Sequence, residues 1–321
     1  MKKIWLSVAL ASSSLFLTAC NDDHDDTSAV VIEDGIPKYD ISQPLVVTPE
    51  NYELSNALAG QSVKMTYRML GINGSEVQAT SLLFTPKTTP PITGWPIVVW
   101  AHGTTGVADK CAPSKTALNL HVEDMINKLL AAGYVVVAPD YEGLGEPSSN
   151  EAHPFLNLQS AAFSITDAVV AARNYLGNQA AKQWVTVGHS QGGHAALGAA
   201  QYASRAQLDY KGTIAIAPAS NLAAILTVGE QRAAQLTNVE DKINTLAMLD
   251  TYTALITAGL RNKNPSLSYQ QVFKSPTDGI AALADTECSD VLGATLGEVM
   301  VEYAAGNEWR IDGYPRTNQI S

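Results

Sequence analysis

The chain has 321 residues, a formal net charge of −11 and a hydrophobic content of 46%. That acidic balance, with no basic cluster and no basic-aromatic interleaving, excludes nucleic acid as a partner. The length suffices for one large domain with a substantial core.

The N-terminus sets an expected compartment. Met1-Lys2-Lys3 is a short basic region, and Ile4 to Leu17 is an apolar run too short to span a bilayer comfortably. Leu17-Thr18-Ala19-Cys20 resembles a bacterial lipobox. The resemblance implies that residues 1–19 are a lipoprotein signal peptide and that Cys20 becomes lipid-modified. Acyl chains at about 0.8 kcal/mol per buried methylene would hold the protein on a membrane of the bacterial cell envelope. Asn21 favours the outer membrane, whereas Asp22 and Asp23 weigh against it; cleavage near Ala19 would instead secrete the protein. The acidic stretch that follows reads as a solvated tether over residues 20–40, and His24 among its aspartates belongs to that tail rather than to a metal site.

Residues 41–218 read as an α/β core. Val63, Met65, Tyr67 and Met69 alternate with polar residues, Gly71 to Gly74 turns the chain, and Val77 to Thr85 returns. Ile97–Ala101, Tyr134–Ala138, Trp184–Val187 and Thr213–Ala217 are continuous apolar runs, the pattern of parallel strands buried on both faces. Helical patterns lie between them: Leu118 to Leu129, ending at Gly133, and Ser160 to Leu176. Strand and helix in alternation give a doubly wound, mostly parallel sheet with its site at the carboxyl ends of the strands. Beyond Ala219 strand signals vanish. Helical stretches such as Leu222 to Leu260 and Val291 to Ala305 read as a helical cap over 219–312, with 313–321 as a tail.

Ser190 carries the chemistry. Gly188-His189-Ser190-Gln191-Gly192 follows the Trp184–Val187 strand and precedes a stretch of small, helix-compatible residues. A Gly-x-Ser-x-Gly turn between strand and helix is so tight that the serine backbone is strained and its neighbours approach closely, which lifts the hydroxyl clear of the sheet as a nucleophile. Cys111 and Cys288 form an even pair in an oxidising compartment and are expected to be bridged.

His102-Gly103-Thr104-Thr105-Gly106, Lys110-Cys111-Ala112-Pro113-Ser114, Asp140-Tyr141-Glu142-Gly143-Leu144-Gly145 and the elbow occur in an order and spacing that resembles the secretory lipase family of α/β-hydrolases, over about residues 60–310. The resemblance implies hydrolysis of carboxylic esters of lipid or other acyl type, with no metal or organic cofactor. An ester substrate develops negative charge on its carbonyl oxygen, and each prearranged N–H donor is worth about 2.7–4 kcal/mol where measured in other enzymes. Gln191, directly after the nucleophile, is positioned to give one backbone donor. The His102-Gly103-Thr104 loop follows the Ile97–Ala101 strand, as an oxyanion loop should, whereas the resemblance points to Asp140 as the other donor; Asp140 is ranked first, with His102, Gly103, Thr104 and Tyr141 lining the site. The family also continues into two further strands that carry a triad Asp and His. Only His194 follows Ser190 here, inside the elbow's own helix and unsuited as base, and no aspartate is assignable. The expectation is a truncated form of a lipid-anchored serine esterase, with a non-catalytic acyl-ligand or partner-binding lipoprotein as the alternative.

Overall fold

The computed structural model describes residues 35–55, 57–145 and 151–318. The signal peptide, Cys20 and His24 lie outside them. The folded body runs from Ile36 onward. Its strands are β1 (Glu50–Asn51), β2 (Gln61–Leu70), β3 (Glu76–Thr85), β4 (Trp95–Ala101), β5 (Val135–Pro139), β6 (Ala180–His189) and β7 (Asp209–Ile216). Its α-helices are α1 (Leu120–Ala131), α2 (Leu158–Leu176), α3 (Gln191–Gln201), α4 (Leu222–Gln235), α5 (Val239–Leu260), α6 (Tyr269–Val272), α7 (Thr277–Ala281) and α8 (Ser289–Ala305).

The seven strands form one sheet in the order β1-β2-β3-β5-β4-β6-β7. β1, β2, β3 and β5 are antiparallel neighbours, whereas β5, β4, β6 and β7 run parallel. β2 and β3 make the expected hairpin, with Gly74 at φ 77° in its turn, where glycine alone is unstrained. Valine-rich β5 is buried at every position, as a strand covered on both faces must be. One face packs on α2 and α3 through Phe163, Ile165, Ala195 and Ala199; the other packs on α1 through Ile126 and Leu130. Asn119 and Asn157 cap α1 and α2 by accepting from the backbone N–H groups of His121 and Ser160. α4 to α8 form the cap, with a separate core centred on Leu255, Phe273, Leu292, Leu296 and Met300.

Two boundary expectations change. Residues 36–40, read as tether, are held in place: Tyr39 is buried, its N–H donates to Arg205 O at 2.9 Å, and the carbonyls of Pro37 and Lys38 accept from Arg205 Nη1. The segment read as a tail is docked through Asn318: Thr317 bridges Phe273, and the guanidinium of Arg316 donates to Glu230 and Asp250. Short-range pattern could not show either, because both are held by partners distant in sequence.

Cys111 and Cys288 are joined by a disulfide, 177 residues apart in sequence, which ties the loop after β4 to the N-cap of α8. On chain-entropy grounds a closed loop of that size contributes about 5 kcal/mol. Ser289 N–H also donates to Thr105 O at 2.9 Å, so the cap is fastened directly to the loop that follows β4.

The outer part of the sheet is less covered. Trp100, Val187 and Ile214 lie side by side across β4, β6 and β7 on the α1 face, and Ile214 and Ile216 are 59% and 48% exposed. Among the described residues nothing pairs with the outer edge of β7. Nor is any helix among them long and apolar enough to cross a membrane.

Candidate active site

The chain leaves β4 toward α1 and β5 on one side, and returns through α2 to β6 on the other. A crevice therefore opens at the carboxyl ends of β4 and β6, where doubly wound sheets place their ligands. Both strand ends carry residues singled out above: His102-Gly103-Thr104 after β4, and Ser190 after β6.

Ser190 sits at φ 57°, ψ −117°, a strained conformation for a side-chain-bearing residue. Its N–H donates to Ile216 O at 3.0 Å, and its carbonyl accepts from His194 and Ala219 N–H at 3.0 and 3.1 Å. These bonds hold the elbow in its strained form. The glycines are steric necessities. A Cβ on Gly188 would lie 2.0 Å from Gly192 O, and one on Gly192 would lie 1.8 Å from Ala101 O. Ser190 opens onto a cavity of about 780 Å³ between the sheet and the cap, walled mainly by Leu222, Ile225, Val228, Leu249 and Ile256.

Unpaired donors surround the serine. Gln191 begins α3, so its N–H has no intrahelical acceptor. Gly103 packs against the serine: a Cβ built there would lie 4.0 Å from Ser190 Cβ. The N–H groups of Gly103 and Thr104 have no acceptor among the described residues. Asp140 differs from expectation here. Its N–H donates to Thr80 O, and its fully buried carboxylate accepts from Thr80 Oγ1 at 2.6 Å and Ser114 N–H at 2.9 Å. With both groups engaged, Asp140 offers no free donor. Its structural role is to fix the loops, since its carbonyl lies 3.2 Å from His102 Nε2. Burial pushes the Asp140 carboxyl up and the His102 imidazole down. Tyr141, at φ 77°, stacks on the His102 ring with centroids 4.4 Å apart and donates its hydroxyl to His102 O at 2.9 Å. His102 and Tyr141 thus support the Gly103–Thr104 loop from behind, and of the loop it is Thr104 that reaches the cavity.

One residue escaped the sequence reading. His153 is buried, and its Nδ1 lies 2.7 Å from the carbonyl of Glu142, so that nitrogen carries the proton and donates. Nε2 is then free to accept from the side-chain amide of Gln191 at 3.0 Å. Burial pushes the pKa of His153 down to about 4, which keeps this acceptor available near neutrality. His153 therefore anchors the side chain of the residue that follows the nucleophile. No local motif marks it, because the contact joins positions 38 apart in the chain.

The base is not among these groups. No imidazole of the described residues hydrogen-bonds to Ser190. His194 is lodged between the backbones of Ala219 and Leu156, and burial lowers its pKa. His189, in the elbow itself, is exposed. No cluster of His, Cys, Asp or Glu suited to a metal occurs among the described residues.

The ligand-bound rice cell wall degrading esterase LipA from Xanthomonas oryzae is similar at TM-score 0.58 and 20% identity, over 81% of this chain and 65% of that one. Candida antarctica lipase A is similar at TM-score 0.58 and 17% identity, over 77% of this chain and 56% of that one. A putative hydrolase from Legionella pneumophila is similar at TM-score 0.54 and 19% identity, over 79% of this chain and 69% of that one. The chain thus spans a little under two thirds of the esterase's length and just over half of the lipase's. No curated protein matches it. The profile of the alpha/beta hydrolase family matches residues 98–314, from β4 through the cap, and the chain belongs to that family.

Proposed function

We propose that the protein hydrolyses carboxylic esters of apolar acyl groups through a covalent Ser190 acyl-enzyme. The observation that carries this reading is a strained serine that opens onto an apolar cavity beside unpaired backbone donors. Ser190 Oγ attacks the ester carbonyl carbon, and the carbonyl oxygen takes up the negative charge. The N–H groups of Gln191 and of Thr104 or Gly103 receive that charge in place of the Asp140 N–H, which Thr80 already occupies. The N-terminus of α3 adds a favourable dipole. Expulsion of the alcohol leaves the acyl-serine, which water then hydrolyses. Both steps require a base at Ser190 that the described residues do not supply. That observation favours the second reading, an acyl-ligand-binding protein without turnover.

A fluorophosphonate probe separates the two. Hydrolase chemistry predicts that Ser190 is labelled in the full-length form and that labelling vanishes in Ser190→Ala. A full-length form that stays unlabelled while binding acyl ligands would establish the non-catalytic reading.

The same proposal attaches the protein to the bacterial cell envelope, with the outer membrane favoured, through a lipidated Cys20. Radiolabelled palmitate is expected to enter the wild-type protein and not Cys20→Ser. Equal incorporation in the two would remove the anchor.

A further inference from the structure

The cavity at Ser190 has a direction and a charged far end. α4 follows β7 through Ala217, Pro218 and Ala219, and Ala219 N–H donates to Ser190 O, so Leu222 lies at the serine end. At a rise of about 1.5 Å per residue, the ten residues from Leu222 to Arg232 cover roughly 15 Å. α5 runs beside α4 in the opposite sense. Gly229 packs against Leu249, and Arg316 spans Glu230 and Asp250. Ile256 is thereby placed at the serine end and Thr245 at the Arg232 end. Between them the slot is apolar, lined by Ile225 and Val228, which are 48% and 61% exposed.

Arg232 is the last α4 residue on this wall. It is exposed and forms no ion pair with any described residue. Glu230, two residues before it on α4, is drawn instead to Arg316, which it shares with Asp250 at 2.8 and 2.6 Å. Thr245 directs its hydroxyl to Asp241 O at 2.9 Å, leaving no donor there to compete for an anion. A protein with a net charge of −11 here places a cation without an ion pair at the end of an apolar slot that starts at its serine.

The geometry points to a specific substrate class: esters whose extended apolar chain ends in an anionic group, held by Arg232 while the ester carbonyl lies at Ser190. This rests on the assignment of Ser190 as the reacting centre. An extended chain advances about 1.2 Å per bond, so a chain of about twelve carbons bridges the two ends. The anion replaces water at the guanidinium, and the methylenes cover Ile225 and Val228.

The test is equilibrium binding to the full chain carrying Ser190→Ala, which prevents turnover, with two probes of equal length. Monomethyl dodecanedioate carries the terminal carboxylate; methyl dodecanoate does not. The anionic ester is expected to bind about fivefold more tightly, the upper range for a partly exposed ion pair. Arg232→Ala brings the two probes to parity without weakening methyl dodecanoate, and Arg232→Lys retains the preference. Equal affinities in the Ser190→Ala chain overturn the proposal, as does a preference that survives Arg232→Ala. It also fails if Arg232→Ala weakens binding only to phosphatidylglycerol vesicles, because Arg232 then faces a lipid surface. Failure of the hydrolase assignment is a separate result, read as an unlabelled wild-type serine whatever the two probes do.

Discussion

Gly192→Ala is expected to give no folded protein. The added Cβ would meet Ala101 O at 1.8 Å, Ala101 C at 2.5 Å and His102 O at 2.7 Å. All three are backbone atoms at the end of a central strand, so no side-chain rotation relieves the contact. Separating α3 from β4 by the required distance would also break the small-residue packing of Ala195 and Ala199 on the sheet. The cost exceeds about 4 kcal/mol, a large part of the stability of an ordinary domain. Gly279→Ala is the matched control: nothing lies within 4 Å of its Cβ position, and it belongs to helix α7. Circular dichroism melts should show Gly279→Ala close to wild type and Gly192→Ala without a cooperative transition. A Gly192→Ala melt within a few degrees of wild type would refute the steric account of the elbow.

Arg205→Ala should cost about 3–5 kcal/mol, because it strands a buried charge. Arg205 and Asp167 are 1% and 0% exposed, and their fork-to-fork bonds, Nε to Oδ1 and Nη2 to Oδ2, are both 2.7 Å. The guanidinium also lies 4.6 Å from the Phe163 ring centre and binds the carbonyls of Pro37 and Lys38. Its removal leaves Asp167 with Leu70 N–H and Thr166 Oγ1 as donors, too few to hold a buried carboxylate. Burial already holds the Asp167 carboxyl above its ordinary value, and loss of Arg205 raises it further. The unfolded state is common to both proteins, so the electrostatic part of the variant's loss is absent below the wild type's folded pKa. It grows as pH rises and is complete above the variant's higher folded pKa. Urea melts of the variant and wild type should therefore differ most near neutrality and converge in acid. A pH-independent difference would assign the loss to packing rather than to the unpaired carboxylate.

The sheet and the elbow were legible because each is governed by local chemistry. Continuous apolar runs such as Val135–Val137 can only be doubly covered strands, and Gly188 and Gly192 flank a turn that admits no Cβ. The cap was legible as helical, but its division at Leu236 to Asn238 and the short helices α6 and α7 carry no strong periodicity. The donors around Ser190 were legible in part. Gln191 follows from its place after the nucleophile. The choice between Asp140 and the Gly103–Thr104 loop depends on which N–H groups are already paired, and Thr80, which takes the Asp140 N–H, lies 60 residues away. His153 was hidden for the same reason. A histidine whose partners are a backbone carbonyl and a side-chain amide from other elements leaves no spacing to recognise.

Ser190 is hydrogen-bonded through its N–H to Ile216 O, the last residue of β7, and among the described residues nothing pairs with the outer edge of that strand. The nucleophile is therefore mechanically coupled to a strand other than its own. An edge with Ile214 and Ile216 beside it is a template for strand addition. Any strand that pairs there stiffens or displaces the carbonyl on which the elbow hangs, so rigidity at the reacting atom is set in part from outside the cavity.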